Sequence, residues 1–179
     1  MKRKTSGPVA LCGMTAALSI LLLLLTIVPV SEMSLPALAG ALLMPVVVEL
    51  GRRYALAVYG AVSLLALLMV PSWEAKLLYV AFFGYYPILK AVLEHLPSRV
   101  TEWILKLLVF NGAVVAVYWI LMTFFRLDPA SFTLGGVSMP FVFLLLGNGV
   151  FLLYDIGLSR LITSYITILG PRLRHLFRF

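Results

Sequence analysis

The chain has 179 residues, 63% of them hydrophobic and only 12% charged, with a mean hydropathy of +1.08. Soluble domains carry about twice that share of charge, so the composition excludes a soluble globular protein and indicates one domain, 1–179, whose solvent is mainly lipid. The net charge of +7 sits on residues scattered at the ends of apolar runs, which is the distribution of a membrane-topology signal and not of a nucleic-acid-binding face.

Crossing the hydrocarbon as a helix takes about 20 apolar residues. Six runs approach that length: 8–30, 35–50, 54–70, 76–93, 103–125 and 138–160, followed by a basic tail, 161–179. The predicted fold is therefore all-α, a polytopic membrane helix bundle of six transmembrane spans.

The first run follows Lys2-Arg3-Lys4 and carries Gly13 and Ala17, a small-xxx-small spacing that allows close helix approach. Cys12 is the one cysteine, so the chain offers neither a disulfide frame nor a cysteine metal site. Ala37-Leu38-Ala39 mimics a signal-peptidase site, but the preceding apolar run exceeds the about 7–15 residues of a signal core. Cleavage there would also leave 40–50, which is too short to span. The second run is short, about 24 Å as a helix, and carries Pro36 and Pro45. It is either a kinked span or a re-entrant segment packed inside the bundle. The basic turn Gly51-Arg52-Arg53 separates it from the third run.

The fourth run contains "FFGYYPILK". Tyr85 lies eight residues past Leu77, about 12 Å down the helix, and Tyr86 is deeper; both are too deep for an interfacial aromatic belt. Pro87 cannot donate to the carbonyl of Phe83 and so frees a backbone acceptor near that level. In the fifth run Asn111 and Tyr118, seven apart, share a face, and Glu102 and Lys106 stand at i, i+4 in the order that favours a local ion pair. Lys106 is also placed to extend toward the nearer membrane surface. In the sixth, Asn148, Phe151 and Asp155 follow one another on one face; Asp155 either pairs with Arg160 or Ser159 nearby or anchors a partner. Tyr85, Tyr86, Asn111 and Asn148 come to similar depths. Two readings follow, a polar substrate pocket that includes Tyr118, or polar glue between helices at about 0.6 kcal/mol per bond. In the tail, Leu173, Leu176 and Phe177 alternate with Arg172, Arg174 and Arg178, as in an interfacial helix on anionic lipid or a simple topogenic tail.

Orientation follows from Lys and Arg. Lys2, Arg3, Lys4, Arg52, Arg53, Lys90, Arg99, Arg160, Arg172, Arg174 and Arg178 fall on one side of a six-span chain, and only Lys76 and Arg126 on the other. The positive-inside rule then places both termini in the cytoplasm of a plasma-membrane protein. The two histidines, His95 and His175, lie in basic flanks, and no nucleotide-binding, zinc-protease or nucleophile-elbow motif occurs. The expectation is a non-enzymatic protein with no cofactor and no metal.

The first helix "ALCGMTAAL" and the segment "LPALAGALLMPVVVELGRRYALAVYGAVSLL" resemble the substrate-binding S component of energy-coupling factor (ECF) transporters over residues 9–70. The chain is also similar to uncharacterised six-span membrane proteins of Gram-positive bacteria. The first resemblance implies capture of a small molecule from outside and docking on a T component driven by two ATPase subunits. It assigns the docking to the small residues Ala10, Gly13 and Ala17 of the first helix. It places the pocket among the later spans and the 127–137 loop. A membrane scaffold binding protein or anionic lipid through the basic face, and a proton-coupled carrier with a buried acid still to be placed, are the competing classes.

Overall fold

The computed structural model describes residues 6–27, 31–125, 133–134 and 137–169. The expectations for Lys2-Arg3-Lys4, Arg126, most of the 127–137 loop, Arg172, Arg174, His175 and Arg178 fall outside those residues. Apart from one two-residue ladder the described chain is helical. It comprises α1 (Ser6–Leu24) with a 3-10 turn (Leu25–Ile27), α2 (Ser34–Ala41), α3 (Met44–Leu50), α4 (Arg52–Met69) and α5 (Trp73–Leu78). After a π turn (Tyr79–Phe83) come α6 (Tyr86–Leu93), α7 (Arg99–Phe125), β1 (Thr133–Leu134), β2 (Val137–Ser138), α8 (Met139–Ser164) and a second π turn (Tyr165–Leu169). The strands pair antiparallel, Thr133 with Ser138 and Leu134 with Val137.

Five stretches are long and apolar enough to cross a membrane: Gly7–Ile27, Arg52–Met69, Trp73–Leu93, Arg99–Ile120 and Leu144–Ile168. The sixth candidate, 35–50, is the shorter apolar stretch Ser34–Leu50, broken between α2 and α3. Pro45, in the first turn of α3, lacks the N–H that would continue the α2 ladder. Gly51, at φ 86°, then reverses the chain into α4 in a backbone region open to glycine.

α1 packs through a stripe at near-four spacing, with Leu11, Thr15, Ser19, Leu23 and Thr26 buried. Ser19 Oγ donates to the Ala39 carbonyl across to α2 at 3.1 Å. The candidate cleavage site is thus core helix: Ala39 is fully buried. The close helix approach expected at Gly13 occurs elsewhere. Ala10, Gly13 and Ala17 all face outward, and nothing lies within 4 Å of a Cβ built on Gly13. The tight crossing is at Gly40, where a Cβ would stand 2.1 Å from the Phe83 carbonyl oxygen.

Two buried clusters divide the molecule. One joins α1, α2, α3 and α4 around Leu23, Leu43, Val46 and Val62, with Tyr79 at its edge. The other joins α6, α7 and α8 through Phe82, Tyr86, Phe110 and Phe151. The α5–π turn–α6 rod touches both.

Candidate functional site

The rod is built around its irregular turn. Gly84 N–H donates to the Tyr79 carbonyl, five residues back, at 2.8 Å. The regular α partner, the Val80 carbonyl, instead accepts from the Tyr59 hydroxyl at 2.7 Å. Gly84 makes room for that ring, since a Cβ there would lie 2.7 Å from Tyr59 Cδ2. One turn on, the Phe83 carbonyl released by Pro87 faces Gly40. Both displaced acceptors are thereby enclosed in protein, as membrane depth requires.

Below this turn, toward the α6–α7 connection, three helices carry matched layers at four-residue spacing. The first is aromatic. Phe110 stacks on Phe151 (ring centroids 4.7 Å, interplanar angle 10°), and Phe82 meets both edge-on at 5.2 and 5.6 Å. Tyr86 packs on Phe82 at 4.8 Å and on Phe151 at 5.4 Å. The second layer is ionic. Asp155 Oδ1 accepts from Tyr86 Oη and from Lys90 Nζ, both at 2.5 Å, and Asp155 Oδ2 accepts from Lys106 Nζ at 3.1 Å. All four side chains are buried. The third layer holds two acids: Glu94 lies 2.7 Å from Lys90 and 3.6 Å from Lys106, and Glu102 lies 2.7 Å from Lys106.

This geometry revises several expectations. The Glu102–Lys106 pair forms as its spacing predicts, but Lys106 turns inward and does not extend to the surface; its side chain is 1% exposed. Lys90, counted as a flanking charge, is also fully buried. Asp155 pairs with these two lysines across helices and not with Arg160. Ser159 Oγ donates to the backbone carbonyl of Asp155 and not to its carboxylate. Two cations and one acid inside an apolar group of helices find partners there because an unpaired charge is costly in hydrocarbon. The signal that would have found the cluster is the occurrence of Lys90, Lys106 and Asp155 inside separate apolar runs at comparable depth from one end.

The predicted polar set separates. Asn111 and Asn148 form a reciprocal amide pair at 2.9 Å in both directions. Each also donates to the carbonyl four residues back on its own helix, Leu107 and Leu144, at 2.8 Å. That pair joins α7 to α8. Tyr86 is turned away from it to Asp155, and Tyr85 sets its ring against Tyr59 at 6.0 Å and Phe82 at 6.2 Å. Tyr118 lines a cavity.

That cavity, about 660 Å³ and open to the outside of the bundle past the exposed Val115, Leu146 and Val150, lies between the π turn, α7 and α8 on the far side of the aromatic layer from the ion cluster. Phe82, Phe110 and Phe151 make its floor; Leu78, Val114, Tyr118, Leu144, Gly147 and Val150 rise as its walls, and Met33 and Tyr154 complete it. No charged side chain contributes to the lining. Ligand pockets run from about 300 to 1,000 Å³ and are mainly apolar and aromatic, so the space suits a small molecule bound chiefly by carbon contacts. Among the described residues no group of histidine, cysteine and acidic side chains is arranged to hold a metal ion.

Comparison with protein-family models, with characterised proteins and with solved structures finds no match to this chain.

Proposed function

We propose that this protein is a non-catalytic, membrane-embedded binding subunit of a transporter, capturing a small molecule from outside and relying on partner subunits for energy. The observation that carries the reading is the aromatic-floored cavity between the π turn, α7 and α8. Its chemistry favours a molecule with a substantial apolar body. Tyr118 is the predicted substrate contact that lines it, and Tyr86 supports its floor from below. Tyr85, Asn111 and Asn148 hold the surrounding helices. The outward-facing Ala10, Gly13 and Ala17 leave one small-residue face of α1 open for a partner such as a T component.

Native mass spectrometry of the protein released from membranes tests this. A retained small molecule is expected in the unaltered chain and in Tyr85→Phe, but not in Val114→Trp, which fills the cavity. Equal retention in Val114→Trp, or none in any form, sinks the reading.

The topology that goes with it has six crossings, both termini cytoplasmic, in the plasma membrane. It is supported by the Lys and Arg distribution, which stays one-sided after Lys90 is removed from the count. Single cysteines at Ser34 and Arg53, on a Cys12→Ser background, decide it. An impermeant thiol reagent applied to intact cells should label Ser34→Cys alone, and labelling of both would make Ser34–Leu50 re-entrant.

A further inference from the structure

We propose that the Asp155 cluster is a releasable lock, which holds α8 against the α6–α7 pair on the side of the aromatic layer away from the cavity. The inference does not depend on what the cavity holds.

The argument starts from charge matching. Lys90 and Lys106 face three acids, Asp155, Glu94 and Glu102. Lys90–Glu94, whose acid caps the end of α6, and Lys106–Glu102, within α7, are i, i+4 pairs at 2.7 Å. Those pairs travel with their helices whatever α8 does. Glu94 also reaches Lys106 at 3.6 Å, linking α6 to α7 without α8. Asp155 is therefore the surplus acid and the one contributed by α8. When it withdraws, the lysines remain matched one to one, and α6 stays joined to α7. A buried ion pair normally resists parting because a bare charge is left behind. Here the local acids remove that penalty for the lysines. Tyr86 completes the device: its hydroxyl holds Asp155 while its ring packs on Phe82 and Phe151, two rings of the cavity floor. A shift of the floor is thus transmitted to the lock through one side chain. Other charged or ionisable side chains nearby do not compete: Tyr154 donates to the Ala37 carbonyl at 3.4 Å, and Arg99, at the start of α7, and Arg160, within α8, are both exposed.

The test reads access to Leu158, a buried residue three positions past Asp155. Leu158→Cys is placed on a Cys12→Ser background in lipid nanodiscs and labelled with an impermeant maleimide. Labelling is expected to be slow with the native cluster and about tenfold faster with Asp155→Asn. Glu94→Gln and Glu102→Gln take away a local partner and commit that lysine to Asp155, so both should label more slowly than the native cluster. A merely structural cluster predicts the opposite sign, because every lost ionic contact loosens the end. Acceleration by Glu94→Gln and Glu102→Gln therefore overturns the proposal, as do equal rates in all forms. Should Asp155→Asn fail to fold, Tyr86→Phe removes one donor to Asp155 at little change of shape. It should also accelerate labelling, and an unchanged rate would count against the lock.

Discussion

Gly40 and Phe83 show how one residue can decide whether a helix break is tolerated. Pro87 removes a donor from the Phe83 carbonyl, and the absence of a side chain at Gly40 lets α2 come close enough to cover that oxygen. A Cβ at 2.1 Å from a backbone carbonyl cannot be accommodated by a side-chain rotation; a helix has to move. Gly40→Ala is accordingly expected to lower stability by about 1–3 kcal/mol, seen as a lower melting temperature in detergent. Gly13→Ala, where the space is open, serves as the control and should melt like the native chain. Equal melting of the two variants would show that the crossing is loose. The Pro87 side of this arrangement is legible in "FFGYYPILK". The Gly40 side is not, because nothing in the residues around Gly40 names the carbonyl it will meet.

At the level of elements, the π turn acts as a phase shifter. A π turn holds one residue more than the α-helix it interrupts, and each helical residue turns the chain by about 100°. The register of α6 against α8 therefore depends on that extra residue. Removing Ala81 would regularise the rod and give the Val80 carbonyl back to the helix ladder, but it would also swing Tyr86 and Lys90 away from Asp155. The deletion is expected to melt below the native chain despite its more regular helix. A deletion variant as stable as the native protein would mean that the turn sets no register. Hydrophobic periodicity does not reveal such turns: Tyr79, Val80 and Phe82 are as apolar as their α-helical neighbours. The existence of the long helices is accessible by contrast. The run predicted at 103–125 lies within α7, Arg99–Phe125, and the run at 138–160 overlaps α8, Met139–Ser164, whose membrane-length apolar stretch, Leu144–Ile168, extends eight residues further.

For the whole molecule, the sequence makes the membrane-helical character plain and leaves its internal wiring obscure. Long runs such as 8–30 and 54–70 specify spans whatever their neighbours do. Which polar residue meets which depends on helix rotation and neighbour order, and these are set by packing between segments far apart in the chain. Asn111 and Asn148 were recognisable as polar residues at similar depth, and they do meet. Tyr86 was grouped with them by depth alone, and its rotation about α6 sends it to Asp155. Of the cavity only Tyr118 is marked in the sequence, since most of its lining is the ordinary leucines, valines and phenylalanines of a membrane helix. The rule that charge inside an apolar run finds a partner holds, but the partners of Asp155 are Lys90 and Lys106 on other helices, which spacing along α8 does not reveal.

The cluster also has a bearing on how the chain is made. Asp155 lies on α8, which leaves the ribosome after the helices that carry Lys90 and Lys106. A lysine at the centre of an inserting segment costs about 2.5–3.5 kcal/mol. During the interval before α8 arrives, Glu94 and Glu102, each one turn away on the same helix, are the partners already present. The two short-range pairs thus shield the early segments during synthesis, and the arrival of Asp155 adds a third helix to a pair whose lysines are already matched.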